Sequence, residues 1–139
     1  MWTEEHREWA TVDYSSLKDG TAFPKGFMWG VATASHQIEG GNTNNWSEFE
    51  PRSKSQQLSG LACDHWNQRT EDIELISALG VSHYRFSIEW SRLVPEQGRW
   101  DAQAAQWYSE LVDELLAKGI QPMATLHHFT HPVWWDELG

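Results

Sequence analysis

Gly80-Val81-Ser82-His83-Tyr84-Arg85-Phe86-Ser87-Ile88-Glu89-Trp90 decides the fold. Tyr84, Phe86, Ile88 and Trp90 alternate with Arg85, Ser87 and Glu89, the period of two that a strand shows when its faces meet different surroundings. The glycine in front of it closes a helix. Across residues 64–79, Ile73, Ile76 and Leu79 fall on one stripe, while Glu71, Asp72 and Glu74 lie early or outward. The same grammar returns downstream. Asp101 is placed to cap a helix with the apolar face Ala104, Tyr108, Leu111, Val112, Leu115 and Leu116. Gly119 ends it, and residues 120–127, with Met123, Ala124 and Leu126, follow as another strand. Upstream, Phe27-Met28-Trp29-Gly30-Val31-Ala32 is a short apolar run that suits a buried strand. Strand, helix, strand, helix, strand specifies an α/β fold: a parallel sheet with right-handed helical crossovers. A closed (β/α)8 barrel needs eight strands and about 250 residues. The count here stops at three, so the chain reads as a partial barrel of about three βα units.

Between these elements, residues 40–60 are rich in Gly, Asn, Ser and Gln and carry no period, which reads as a long loop, functional or disordered. Residues 1–22 show no sustained period and are expected to form an arm, with residues 23–139 as the partial barrel.

Composition narrows the function. Twenty acidic against ten basic residues give a formal charge of -10. That excludes a protein built to grip nucleic acid or anionic lipid, both of which need clustered Lys and Arg. No uninterrupted apolar run approaches a membrane span, and residues 1–22 lack the basic start and apolar stretch of a secretion signal. Cys63 is the only cysteine, so no internal disulfide forms, and a cytoplasmic location is expected. Ten Trp, five Phe and three Tyr are an excess that serves a core first, yet flat aromatic faces also stack on sugar rings.

In parallel α/β folds the chemistry sits where strands end and loops begin. His36-Gln37-Ile38-Glu39-Gly40, the series Arg85, Ser87, Glu89, and His127-His128-Phe129 occupy such places. The planar amide of Gln37 offers an acceptor and donors at once, which suits adjacent hydroxyls; it also suits an ordinary loop. His128 can donate from one ring nitrogen while a neighbour orients the other. His127 and His128 alternate on a strand, so at most one points inward. An interior Arg85 calls for an anionic partner, either Glu89 along the same face or a group elsewhere. His128 and His131 lack any framework that would make them metal ligands, and no nucleotide or cofactor loop is present, so neither metal nor cofactor is expected.

Four ordered blocks then carry a resemblance. They are Phe23-Pro24-Lys25-Gly26-Phe27-Met28-Trp29-Gly30 running on to Ala32-Thr33-Ala34-Ser35-His36-Gln37-Ile38-Glu39-Gly40; Asp64-His65-Trp66 leading to Glu71-Asp72-Ile73; Tyr84-Arg85-Phe86-Ser87-Ile88-Glu89-Trp90-Ser91-Arg92; and Thr125-Leu126-His127-His128-Phe129 with Pro132. Together they resemble the N-terminal portion of glycoside hydrolase family 1, the β-glucosidases and related retaining β-glycosidases. The resemblance implies a TIM barrel. It also implies that Gln37 and His128 hydrogen-bond the hydroxyls of the non-reducing sugar, and that Arg85 supports the nucleophilic carboxylate. Phe129 stands where the family often has Trp, beside the bound sugar. The family's acid/base lies in Asn-Glu-Pro and its nucleophile in Glu-Asn-Gly, and neither tripeptide occurs in these residues. The resemblance therefore implies a segment with sugar-positioning residues but no catalytic carboxylates, inactive by itself. Its partners would be a β-glycoside or monosaccharide, and either the complementary C-terminal part of the barrel or a second copy through self-association. A sugar-binding or assembly fragment is the alternative.

Overall fold

Two glycines in the left-handed conformation set the rhythm of the computed structural model, which describes Phe23 and residues 25–138. Gly80 (φ +71°) and Gly119 (φ +73°) each turn the chain out of a helix and into a strand, a backbone geometry that costs little without a Cβ. The strands are β1 (Gly30–Ala32), β2 (His83–Ser87) and β3 (Gln121–Thr125), all parallel, in the order β1-β2-β3. Register runs Ala32 beside Arg85 and Arg85 beside Met123. The helices are α1 (Ser35–Ile38), α2 (Asn45–Phe49), α3 (His65–Ala78), α4 (Trp90–Leu93) and α5 (Ala102–Ala117). Short 3-10 turns occupy Glu50–Arg52 and Val133–Leu138. The arm expected for residues 1–22 lies outside the described residues.

α5 starts where the sequence predicts. The Asp101 carboxylate accepts from the backbone N–H groups of Gln103 and Ala104, both at 2.9 Å, supplying two donors that a helix start leaves free. α5 and α3 then cover one face of the sheet. Ile73 from α3, Tyr84 and Phe86 from β2, Leu111 and Leu115 from α5, and Ile120 ahead of β3 form the buried core. Each such side chain contributes about 2 kcal/mol by leaving water. The two helices are clasped from outside by Arg69, which donates to Glu110 at 2.8 Å and to Glu114 at 2.7 Å and lies over the Trp107 ring. Trp107 stacks on Trp66 with centroids 4.3 Å apart.

Several expectations need correction. The run 27–32 is not a buried strand: only its last three residues pair, and Phe27, Met28 and Trp29 are exposed around a small aromatic cluster with Phe23. Leu79 on the first helical stripe and Leu116 on the second are also exposed, as are Met123, Ala124 and Leu126 of the third strand segment. The cause is shared. These residues lie where no described element packs against the sheet or the helix ends. Residues 40–60 are not structureless either. Asn44, fully buried, caps α2 by accepting from Trp46 and Ser47 N–H groups at 3.1 and 2.9 Å, while Ser47 Oγ accepts from the Asn44 N–H at 2.9 Å. β2 also stops at Ser87, so the strand alternation does not extend to Ile88, Glu89 and Trp90.

Candidate functional site

The loops that follow the strands gather at the carboxyl edge of the sheet. β1 runs into α1, whose first residue, Ser35, is anchored by its N–H to Ser87 Oγ at 2.7 Å. That fixes His36 and Gln37 one and two residues on. β3 runs into His128-Phe129-Thr130, where the Thr130 N–H donates to the His128 carbonyl at 2.9 Å. A bond across one residue, with Phe129 at φ +67°, is a γ-turn of the positive-φ kind, which is strained for a bulky side chain. Such strain persists only where neighbours hold it. Here Asn45 does so from α2: its N–H donates to the His131 carbonyl (3.1 Å), its Oδ1 accepts from the His131 N–H (3.0 Å), and its Nδ2 donates to the Phe129 carbonyl (3.4 Å).

Between these loops lies a cleft of ≈ 170 Å³ lined by His36, Gln37, Trp46, His128, Phe129 and Thr130, with Ala34 at its base. A shallower depression of ≈ 530 Å³ adjoins it on the far side of Gln37 and Trp46. Three residues singled out from the sequence, Gln37, His128 and Phe129, thus meet in one place. The Gln37 amide and the His128 imidazole make no side-chain hydrogen bond among the described residues, so their polar atoms are available to a ligand. The Phe129 ring is exposed and sits edge-on to His128, centroids 5.1 Å apart. His127 stacks along His131 and does not line the cleft; both histidines lie beyond the end of β3 at Thr125, so their directions come from the loop and not from strand alternation.

Arg85 is not on the cleft. It stands half-buried in the middle of β2; its carbonyl accepts from the Thr33 N–H at 2.9 Å, and its guanidinium makes no hydrogen bond or ion pair among the described residues. Of the two anionic partners the sequence allows it, Glu89 is not the one, because the chain turns after Ser87 and carries Glu89 back behind the cleft. There Glu89, fully buried, accepts from Ser35, Asn44, Ser91 and Thr130.

Sequence reasoning placed His36 at the strand end without giving it a role, and it missed Trp46, Asn44 and Thr130 as site residues. His36 is held between Glu50 (2.9 Å) and Asn44 (3.1 Å), which presents Trp46 beside it. Asn44 followed three residues later by Ser47 is a capping pattern that would have located α2, and with it Trp46.

The other carboxylate near this edge, Glu39, is also buried. Tyr108 donates to its Oε1 at 2.6 Å and Arg92 to its Oε2 at 2.8 Å, while Arg92 lies 3.8 Å above the Trp66 ring. Burial outweighs both bonds and pushes the Glu39 carboxyl up to about 7. Burial and the adjacent Glu39 charge drive the Tyr108 phenol well above its usual range, so it stays a hydroxyl donor. Neither Glu39 nor Glu89 lines the cleft. Among the described residues no cluster of His, Cys, Asp or Glu is arranged to hold a metal ion, and no helix is long and apolar enough to cross a membrane.

Comparison with known proteins bears on this geometry. The model of glycosyl hydrolase family 1 matches residues 19–139. β-Glucosidase A of Thermotoga maritima is 44% identical over 120 residues, covering 79% of this chain and 27% of that protein. The human cytosolic β-glucosidase is 36% identical over 130 residues, covering 85% and 28%. Among solved structures, the β-glycosidase from Pyrococcus horikoshii superposes with a TM-score of 0.78 at 49% identity, over 84% of this chain and 28% of that one. A Thermotoga maritima β-glucosidase in complex with castanospermine gives 0.78 at 42% identity, over 84% and 29%. The chain therefore spans little more than a quarter of the length of these relatives.

Proposed function

The chain belongs to glycosyl hydrolase family 1, and from that premise we propose that it supplies the sugar-positioning part of a retaining β-glycosidase while contributing neither reacting carboxylate. Three parallel strands with their crossovers are three rungs of the (β/α)8 barrel. The observation that carries the proposal is the convergence of Gln37, His128 and Phe129 on one cleft, where the Gln37 side-chain amide and the His128 imidazole make no hydrogen bond among the described residues.

Within that reading, the Gln37 amide accepts from one sugar hydroxyl and donates to its neighbour. His128 donates to a second site on the ring, and Phe129 with Trp46 covers an apolar sugar face. The guanidinium of Arg85 is on the opposite sheet face from Tyr84 and Phe86 and has no ion pair among the described residues, which supports a role in stabilising a nucleophilic carboxylate delivered by later strands. Retaining hydrolysis needs two carboxyl groups about 5–5.5 Å apart, one to protonate the leaving group and one to form the glycosyl-enzyme. Asn-Glu-Pro and Glu-Asn-Gly are absent from these residues, and the two buried glutamates behind the cleft are committed to other partners. The relatives solved with castanospermine and glucoimidazole support a sugar-like ligand for the cleft. A single, exposed cysteine, Cys63, supports a reducing compartment such as the cytoplasm.

Castanospermine titrated into the chain is expected to quench or shift the Trp46 emission, an effect lost in Trp46→Phe and in Gln37→Ala. Aryl β-glucoside hydrolysis is expected only when the rest of a family barrel is supplied. Turnover that tracks the purified chain alone overturns the proposal. A second reading, assembly, is favoured by the outer edges of β1 and β3, which pair with no strand among the described residues, and by exposed Met28, Trp29, Met123 and Leu126. It predicts a mass above the monomer in light scattering and is refuted by a monomer with protected β3 amides.

A further inference from the structure

We propose that Glu89, which takes no part in bond breaking, is the positioning residue that holds the opposing walls of the cleft in register. The inference deepens the reading of the cleft as a sugar site and rests on it. Its Oε2 accepts from three segments that are far apart in sequence: Ser35 Oγ at 3.2 Å, Asn44 Nδ2 at 3.1 Å and Thr130 Oγ1 at 2.9 Å. Each donor stands next to cleft residues. Ser35 begins the turn of helix that carries His36 and Gln37. Asn44 caps the helix that carries Trp46, and its Nδ2 also reaches His36. Thr130 directly follows Phe129 in the strained γ-turn.

The other end of Glu89 is fixed independently. Its Oε1 accepts from the Ser91 N–H (3.3 Å) and Oγ (2.9 Å), and its own N–H donates to the Tyr108 hydroxyl at 2.9 Å. The carboxylate is therefore tied at one end to its own turn and to Tyr108, and at the other to the three cleft loops. Five donors converge on two oxygens, with no basic side chain bonded to either among the described residues, an all-acceptor role that a carboxylate fills and an amide does not. A glutamine offers one oxygen. It keeps either the three-loop clamp or the Ser91 end, and presents an N–H to donors at the other. Without the clamp, the Thr130 hydroxyl keeps no partner among the described residues, and the positive-φ turn at Phe129 loses one of its restraints.

The test uses the full chain with Glu89→Ala, Glu89→Gln, Ser35→Ala and Thr130→Val. Castanospermine affinity is measured by calorimetry, and the Gln37 side-chain amide and Phe129 backbone amide are followed by NMR without ligand. Glu89→Ala is expected to weaken binding on the order of tenfold, with Glu89→Gln between it and wild type. Ser35→Ala and Thr130→Val should each cost less, and their combination should be non-additive because both act through one carboxylate. In the ligand-free spectra, Thr130→Val, which only swaps a hydroxyl for a methyl, should move Gln37 resonances across the cleft. A purely structural role lowers the melting temperature but leaves the affinity per folded molecule and the Gln37 signals of Thr130→Val in place; that result overturns the proposal. If wild type binds no sugar, the sugar-site reading fails, and the NMR arm still decides whether Glu89 sets the geometry.

Discussion

Tyr108→Phe removes one oxygen from the middle of the buried network and leaves two groups without a partner. The hydroxyl donates to Glu39 Oε1 at 2.6 Å and accepts from the Glu89 N–H at 2.9 Å, and all three residues are buried. An orphaned buried N–H costs about 1–3 kcal/mol, and a lost bond to a charged group about 1.5–3. The variant should therefore lose about 4 kcal/mol when Glu39 is ionised. The loss should depend on pH in a defined sense. Burial raises the Glu39 carboxyl from 4.5 to about 7. A raised acid stabilises the fold fully below its unfolded value, and that contribution disappears as pH climbs through the folded value. In wild type the term amounts to roughly 3 kcal/mol between those limits. Removing the Tyr108 donor, which favours the charged form, drives the carboxyl higher still, so the variant keeps losing stability at pH values where wild type has levelled off. Urea unfolding followed by Trp fluorescence should give a loss of about 2 kcal/mol near pH 5 and about 4 near pH 8.5. Leu111→Ala, which empties a fully apolar site, serves as the control and should cost about 3 kcal/mol at both. Equal losses for Tyr108→Phe at the two pH values would refute the assignment of that hydroxyl to an ionising Glu39.

Other perturbations probe the loops around the cleft. Gly40→Ala places a Cβ 2.1 Å from the Leu61 carbonyl oxygen at a backbone φ of +81°; a loss above about 3 kcal/mol is expected, read as failure to accumulate folded chain or a collapsed melting curve. Asn44→Ala removes the α2 cap and a donor to Glu89, and should cost about 2 kcal/mol with faster amide exchange confined to Asn45–Phe49 and Thr130. Phe129→Gly relieves a left-handed backbone worth about 1 kcal/mol while forfeiting an exposed ring, so stability should hold within about 1 kcal/mol as castanospermine affinity falls several-fold. Unchanged affinity in that variant would remove Phe129 from the sugar site.

Local chemistry made the architecture legible. Gly80 and Gly119 end helices wherever they occur, Asp101 caps whichever helix follows it, and alternation along Tyr84, Arg85 and Phe86 is a property of the extended chain. Hydrophobic periodicity was less informative about partners. It marks a face as one that leaves water, without saying what covers it, and so Leu79, Leu116, Met123 and Leu126 read as core yet are exposed among the described residues. Arg85 beside Glu89 was a pairing drawn on a strand that ends at Ser87. Once the alternation stops, spacing no longer predicts which way a side chain faces.

Sequence by itself determined that Gln37, His128 and Phe129 stand just past the carboxyl ends of strands, because strand ends follow from local alternation and helix-stop signals. Only the tertiary structure decided that they share one cleft, that Arg85 stays off it, and that Glu89 lies behind it rather than in it. Those outcomes depend on parallel register and on hydrogen bonds between segments far apart in the chain, where each side chain's direction is set by its neighbours in space and not by its neighbours in sequence.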